Sequence, residues 1–401
     1  MRKILPNLFF LFLTAPILSP FIGGVTIYLS ALIVFLDPFF IKWFLGYFRP
    51  QKVFVTGTVC CLMAAACLQV PLLLKLIMIS TSVCYVLYCY LNGLFFLYKW
   101  VSINILIAIA QFVLIFINPD IAYQIGPTNI SKMIWGDLAT PTYTNFFALS
   151  ILPRVSGLSR EGGFFASLLG VAFFTALFDG RLRKETKWKY LVLFSIGLII
   201  SISKTTSLLL IVPFILLFRR HINALGTIVA STIYLFTQVV FWQYVFDNSR
   251  FFLSVENETF IHRFIGYALT PYAKINDFIT GTNIIDLLLG TVPNPGSIIF
   301  DLKGNLITEF CGLPGIYLSF GIIVYLLFLF LMKFFKISAS SFLILLALTT
   351  NVSPFTSDGF VILAWFLIIV LGRDFFQDID PSGSYEIDNF KTTKPISDDL
   401  R

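Results

Sequence analysis

Apolar segments of about 15–25 residues follow one another along almost the whole chain, and most are bounded by Lys or Arg on one side only. An apolar helix of about 20 residues crosses the hydrocarbon core of a bilayer. Cations on one side of successive spans are the positive-inside signature of a polytopic membrane protein. Only 12% of the 401 residues are charged, against about 25% in soluble domains, so a soluble fold is excluded.

We predict an all-α polytopic integral membrane protein with about 12 transmembrane helices and both termini in the cytoplasm. The predicted spans are 6–20, 22–46, 53–70, 76–97, 101–117, 163–179, 190–203, 205–218, 223–246, 309–332, 338–353 and 357–372. Residues 1–373 would form a single transmembrane domain, and the Asp- and Ser-rich residues 374–401 a disordered cytoplasmic tail. Two outer loops are long, at about 118–162 and 247–308, and such loops are usually functional or disordered.

The distribution of cations sets the orientation of these spans. With the N-terminus inside, 19 of the 28 Lys and Arg residues lie on the cytoplasmic side. The cationic run 181–189 and the pair Arg219-Arg220 are both inside only if residues 190–218 form a hairpin broken near Ser201–Lys204; one long helix is the alternative. The net charge of +7 is then mostly cytoplasmic loop charge, which gives no reason to expect nucleic acid as a partner.

Four arginines lie on the outer side, where topology does not favour cations: Arg154, Arg160, Arg250 and Arg263. They are gathered in the two long outer loops. An anionic ligand is the simplest reason for cations in that place, because the planar guanidinium group of arginine suits a phosphate or diphosphate.

The first candidate site is the segment 154–163, directly before a predicted span. It carries Arg154 and Arg160, and Glu161 beside Arg160 is either a base or an ion-pair partner. Three glycines lie in the same segment, at Gly157, Gly162 and Gly163. Glycine lets the backbone approach a ligand closely, and amide groups at a helix start bind anions. The alternative is an interfacial loop whose arginines reach towards water.

The second candidate is Lys204, within the polar run 203–207 of an otherwise apolar stretch. A lysine at membrane depth costs about 2.5–3.5 kcal/mol on insertion scales, so a functional role is its default interpretation. Consecutive polar residues would also satisfy the backbone of a broken helix. The alternative is that Lys204 lies in a short exposed turn.

The third candidate lies in the second outer loop, at His262 and Arg263. If residues 256–268 are helical, both side chains share a face with Thr259 and Gly266. Histidine can exchange a proton near neutral pH, although a solvated loop histidine is the alternative. Arg263 is the stronger candidate of the two, because it is a cation on the side that topology does not favour.

The fourth candidate is Asn305, within the polar segment 301–309 before a span that contains small residues. Polar groups at the mouth of such a helix can line a cavity. Helix capping by Asn305 or Thr308 is the alternative.

Taken in order, these motifs resemble those of bacterial O-antigen polymerases and ligases, which are polytopic membrane glycosyltransferases. The resemblance covers about residues 145–330 and rests on four motifs in the same order as in that family. The first two are Arg154-Val-Ser-Gly157 with Glu161, and the polar helix break, where Lys204 stands in the place of the family's usual Arg. The last two are Arg263 with the later Gly281-Thr-Asn, and Gly304-Asn305 with Gly312-Leu-Pro-Gly315. The ligases, and many polymerases, carry a His where this chain has Gly304. This departure weakens a ligase interpretation, and the Arg-x10-Gly repeat of some polymerases is also absent.

The resemblance implies a metal-independent glycosyltransferase, without a cofactor, in the bacterial inner membrane. It would join oligosaccharide repeats carried on undecaprenyl diphosphate at the periplasmic face, with membrane lipid and a separate chain-length regulator as further partners. Because the leaving group is a diphosphate, cations aimed at its developing charge would lower the barrier most. Catalytic roles, with a carboxylate or imidazole as base, are predicted for Glu161, His262 and Arg263. Substrate-binding roles are predicted for Arg154, Arg160, Lys204, Arg250 and Asn305.

Two other functional classes stay open. A lipid-linked oligosaccharide flippase is one, but transporters are expected to carry ionisable residues in a central cavity and internal repeats. In this chain few ionisable residues lie near membrane depth: Lys204, and in addition Lys75 or Asp37. No internal repeat is visible. A ligase-type transferase is the other. The chain has no P-loop, dinucleotide fingerprint or HExxH motif, so ATP-driven export is not supported.

Overall fold

The computed structural model describes residues 2–22, 25–68, 70–142, 153–203, 209, 211–218, 284–289, 312–335, 337–349, 352 and 354–371. Within these residues the regular secondary structure is helical, apart from one small hairpin of strands β1 (Phe21–Ile22) and β2 (Val25–Thr26). The predicted all-α class is confirmed. The predicted tail 374–401 and the span 223–246 lie outside the described residues, as does the loop 247–308 except for 284–289.

The helices are numbered in chain order. Those before residue 140 are α1 (Ile4–Thr14), α2 (Leu29–Leu36), α3 (Pro38–Tyr47), α4 (Pro50–Ala66), α5 (Val70–Leu91), α6 (Leu97–Ile117), α7 (Pro119–Gln124) and α8 (Pro127–Trp135). Those after residue 150 are α9 (Gly162–Phe178), α10 (Lys184–Ser201), α11 (Ile211–Phe218), α12 (Ile284–Leu289), α13 (Gly312–Phe334), α14 (Ala339–Leu348) and α15 (Gly359–Phe366). Short 3₁₀ turns occupy Pro16–Leu18 and Gly136–Leu138, and a π turn follows α15 at Leu367–Leu371.

Two helices in the described part of the chain, α5 and α6, are long and apolar enough to cross a membrane. Their 22 and 21 residues give axial lengths of about 33 and 31 Å, which match the hydrocarbon core. The consecutive helices α2 and α3 would make a third span if their 75° bend lies within one crossing. The protein is therefore a helical membrane protein with two to three candidate spans among its described residues.

The predicted span 22–46 is interrupted, with a hairpin at its start and a bend at Asp37. The proline after Asp37 keeps this residue extended, so α2 ends there and α3 begins anew. The Asp37 carboxylate accepts hydrogen bonds from the amides of Phe39 at 3.0 Å and Phe40 at 3.3 Å, and from the Tyr85 hydroxyl at 2.8 Å. Asp37 is thus a buried helix cap that joins α3 to α5.

Two predicted spans end earlier than their apolar runs. Helix α1 stops at Thr14 instead of residue 20, because Pro16 moves the residue before it out of the helical region. Helix α10 stops at Ser201, and Ile202 adopts a left-handed conformation with φ +43°. The predicted break in 190–218 therefore begins one residue after Ser201, and Lys204 itself lies outside the described residues.

Helix α9 is central to the described bundle, and 13 of its 17 residues are buried. It packs against α6, α10 and α15. Small residues at every fourth position, Gly162, Ala166 and Gly170, let neighbouring helices approach closely. At Gly170, the side chain of Leu209 fills the place that a Cβ atom would occupy.

Part of the predicted first outer loop is folded against the N-terminal segment. Helices α7 and α8 lie in it, and the Trp135 indole donates to the Leu18 carbonyl at 3.0 Å. The Thr140 hydroxyl donates to the Ser19 carbonyl, and the Thr140 amide donates to the Ser131 hydroxyl at 3.1 Å. The β1–β2 hairpin, which begins two residues after Ser19, is thereby held beside this loop.

Candidate functional site

Three of the eight predicted site residues lie in the described part of the chain: Arg154, Arg160 and Glu161. They belong to the non-helical segment 153–161, which we call the arginine segment, and it leads directly into α9. The other predicted site residues lie outside the described residues: Lys204, Arg250, His262, Arg263 and Asn305.

The arginine segment is bound to the side of α6 by two amide side chains. The Gly157 amide donates to Gln111 Oε1 at 3.0 Å, and Gln111 Nε2 donates back to the Gly157 carbonyl at 3.1 Å. The Leu158 amide donates to Asn104 Oδ1 at 2.8 Å. Both amide side chains are buried, with 1% exposure for Asn104 and 0% for Gln111. They replace the backbone partners that a non-helical segment lacks.

A glycine is required at position 157 for two reasons. Its φ of +55° lies in the left-handed region, where a Cβ atom is strained. A Cβ atom there would also overlap the Asn104 side-chain oxygen and would lie 2.9 Å from the Asn104 backbone oxygen. The segment therefore lies directly on the α6 backbone.

The contact with α6 lies well inside the span. Asn104 is seven residues from the start of α6 and Gln111 is fourteen, or about 10 and 21 Å along an axis of about 31 Å. The end of α1 reaches the same depth, because Asn104 Nδ2 donates to the Thr14 carbonyl at 3.0 Å. Irregular backbone at this depth is tolerated only where it is buried in protein or lines a water-filled cavity.

The side chain of Arg154 packs against the first turn of α9. A Cβ atom at Gly162 would come within 2.6 Å of Arg154 Nε and within 3.3 Å of two carbons of the same side chain. Arg154 Nε is buried and makes no hydrogen bond within the described structure. The arginine therefore packs against a helix N-terminus, where the backbone amides already carry partial positive charge.

Arg160 belongs to a second set of contacts, the Arg160 cluster, formed by Thr26, Tyr28, Arg160 and Asp358. Arg160 Nη2 donates to the hydroxyls of Thr26 and, at 3.2 Å, Tyr28. The Tyr28 hydroxyl donates to Asp358 Oδ1 at 2.5 Å. Asp358 is 3% exposed and directly precedes α15. The cluster joins the hairpin, the arginine segment and α15.

Glu161 is the last residue before α9, in extended conformation, and its side chain is half-buried. Its carbonyl accepts the amide of Phe165 at 3.0 Å, which is the first hydrogen bond of the helix. The three predicted residues thus surround one helix start, with Arg154 over Gly162 and Arg160 adjacent to Glu161 in sequence.

The opposite end of α9 carries the Asp179 cluster, formed by Tyr90, Tyr98, Asp179 and Arg181. The buried Asp179 carboxylate accepts from the Tyr98 hydroxyl at 2.9 Å and from the Tyr90 hydroxyl at 3.1 Å. Arg181 Nε lies 3.6 Å from the same carboxylate, and the guanidinium lies over the Tyr90 ring. This cluster ties together the ends of α5, α6 and α9.

Five residues that hold the site were not predicted from the sequence: Thr26, Tyr28, Asn104, Gln111 and Asp358. A signal existed for the two amides, which are polar residues seven apart in an otherwise apolar helix and therefore share one face. Polar side chains inside a span are costly and face the bundle interior. For Tyr28 and Asp358 no local pattern exists, because 330 positions separate them.

Among the described residues, no group of three or more His, Cys, Asp or Glu side chains comes together in a way that could hold a metal ion. Comparison of the chain with protein-family models, with curated proteins and with solved structures gives no match. The class of protein that the fold supports is thus a helical membrane protein.

Proposed function

We propose that this protein is a polymerase of oligosaccharide repeats carried on undecaprenyl diphosphate, acting at the periplasmic face of the bacterial inner membrane. The proposal rests on the motif resemblance and on the surroundings of the arginine segment. It includes about 12 spans with both termini in the cytoplasm. In that orientation the Arg160 cluster lies towards the periplasm and the Asp179 cluster towards the cytoplasm.

The observation that carries the proposal is the packing of Arg154 on the N-terminus of α9. A guanidinium group and a helix N-terminus are both positive, so their contact is favourable only with an anion near both, either the Glu161 carboxylate at the same helix start or a ligand. Diphosphate is an anion that binds both kinds of group, through the arginine fork and through backbone amides. A lipid diphosphate would also bring its apolar tail to a site at membrane depth.

The chemistry proposed for the site is a displacement at the anomeric carbon of the donor sugar. An acceptor hydroxyl oxygen bonds to that carbon while the bond from carbon to the diphosphate oxygen breaks. The hydroxyl proton passes to Glu161 or His262 as base. Negative charge develops on the departing diphosphate, where Arg154 and Arg160 would stabilise it, together with Lys204, Arg250 and Arg263 from outside the described residues. Asn305 would bind a sugar, and a chain-length regulator would act as partner.

The test is a gel of surface polysaccharide from a deletion strain complemented with wild type, Arg154→Ala or Arg183→Ala. Arg183 is an exposed arginine before α10, so it controls for the loss of an arginine as such. We expect a ladder reduced to one repeat in the deletion strain and with Arg154→Ala, and full ladders with the other two. Full-length ladders from Arg154→Ala at normal protein level would contradict the proposal.

A second candidate function, a lipid-linked oligosaccharide flippase, is favoured by one feature of the helices. Helix α10 ends at the left-handed Ile202, and α13 is broken at Gly321 with φ +85°. Discontinuous helices often form transport sites at the membrane midplane. Accumulation of the lipid-linked precursor on the cytoplasmic side of the deletion strain would support the flippase and contradict the polymerase.

A further inference from the structure

Two amide side chains in the middle of α6 connect the arginine segment to the rest of the bundle. We infer that Asn104 and Gln111 are positioning residues of the diphosphate site, acting on Arg154 and Arg160 through the backbone of Gly157 and Leu158. The inference rests on the proposed function, because it assigns these amides to the same anion site.

Each of the two amide side chains joins the arginine segment to a further element of the fold. Gln111 exchanges two hydrogen bonds with Gly157, and its Nε2 also donates to the Ile125 carbonyl at 2.9 Å. Asn104 accepts from Leu158 and donates to the Thr14 carbonyl at the end of α1. Each amide therefore fixes the arginine segment relative to the end of another helix, α1 for Asn104 and α7 for Gln111.

The position of the contact along the segment connects it to both arginines. Gly157 lies three residues after Arg154 and three before Arg160, so both arginines extend from one anchored point. Beyond the anchor, Arg154 packs on Gly162 and Arg160 binds Tyr28. Loss of the anchor would release the backbone between the two cations while leaving both side chains intact.

Glutamine at position 111 fits this contact chemically. Its side chain both donates to and accepts from the same backbone residue, as a neighbouring β-strand would. Methionine has a similar shape but offers only a weak acceptor, and glutamic acid, which burial at this position keeps protonated, keeps the acceptor and one donor in place of two. The two substitutions therefore remove the anchor in graded steps without a large change in volume.

The experiment measures binding of farnesyl diphosphate to the purified full-length protein in lipid nanodiscs. We expect Gln111→Met to weaken this binding by about tenfold relative to wild type, and Gln111→Glu to weaken it less. The matched control is Tyr98→Phe, which also removes one buried hydrogen bond from α6, at the Asp179 cluster. It is expected to bind like wild type, which a general loss of helix stability would not allow.

The possible outcomes distinguish a failure of the positioning role from a failure of the proposed diphosphate site. A wild-type protein that does not bind farnesyl diphosphate, or that binds farnesol equally well, contradicts the proposed diphosphate site and the inference with it. A wild-type protein that binds, together with an equally tight Gln111→Met variant, overturns the positioning role alone. If Gln111→Met does not fold, as judged by thermal unfolding, wild-type affinity in Gln111→Glu overturns it instead.

Discussion

The two ends of α9 each carry an arginine, a buried carboxylate and a tyrosine hydroxyl, and the groups are connected differently. In the Asp179 cluster the arginine lies 3.6 Å from the carboxylate, two residues away in sequence, and both tyrosines donate to that carboxylate. In the Arg160 cluster the Tyr28 hydroxyl lies between Arg160 and Asp358, accepting from the guanidinium at 3.2 Å and donating to the carboxylate at 2.5 Å.

This difference separates a structural cluster from a candidate binding site. At Asp179 the opposite charges meet locally, so the cluster stabilises three helix ends and satisfies its own carboxylate. At Arg160 the cation is oriented by hydroxyl groups from a distant part of the chain, which fixes its position. A cation held in that way suits an anionic ligand. The following comparisons test the distinction, each with one variant at either end.

Replacing the arginines should give the largest contrast. Arg160→Ala is expected to lower polymerisation by about 100-fold or more, because one positioned charge opposite a developing anion contributes on that scale. Arg181→Ala should keep at least half of the wild-type ladder per folded protein. The measurement is the length distribution of surface polysaccharide, normalised to membrane protein level. Equal losses from the two variants would remove the distinction between the clusters.

The glycines that follow the two carboxylates should differ in what they tolerate. A Cβ atom at Gly359 would overlap the Leu13 carbonyl of α1, whereas at Gly180 nothing lies within 4 Å. Gly359→Ala should therefore destabilise the fold by about 3 kcal/mol and separate Asp358 from Tyr28. Gly180→Ala should be close to neutral. Thermal unfolding of the purified proteins measures both, and similar midpoints would contradict the packing of α1 on α15.

Removing the Asp179 carboxylate should affect stability more than activity. Asp179→Ala leaves the buried Tyr98 hydroxyl and the half-buried Tyr90 hydroxyl without their acceptor, at a cost of about 2 kcal/mol. We expect a lower unfolding midpoint and a near-normal ladder per folded protein. The control is Glu185→Ala, which removes an exposed carboxylate after the same turn. A lost ladder in a well-folded Asp179→Ala protein would place this cluster in the functional site.

Removing one tyrosine hydroxyl at each end should give the smallest effects. Tyr28→Phe breaks the bridge between Arg160 and Asp358, so polymerisation should fall by about three- to tenfold while the fold persists. Tyr98→Phe should leave the ladder unchanged and lower stability slightly. The measurement is the rate of polymerisation by each variant at matched protein levels. Wild-type polymerisation in Tyr28→Phe would mean that the bridge does not orient Arg160.

Much of the fold was predictable because it depends on neighbours in the chain. Hydropathy placed α6 and α9 within a few residues of the predicted spans, whereas α5 begins and ends six residues before the predicted span 76–97. The misplaced ends have local causes that were available in the sequence, since Pro16 ends α1 and the proline after Asp37 divides α2 from α3. The candidate segment with Arg154, Arg160 and Glu161 was predicted from its cations and glycines, although not its depth.

The sequence by itself determined a helical membrane protein, the helix breaks at prolines and the concentration of cations before α9. These features follow from local hydropathy and backbone restriction, which act over a few residues. Only the tertiary structure decided that Gln111 accepts from the Gly157 amide and that Tyr28 donates to Asp358, 46 and 330 positions apart. The buried polar groups of a span need partners, and packing of the whole bundle chooses which distant groups supply them.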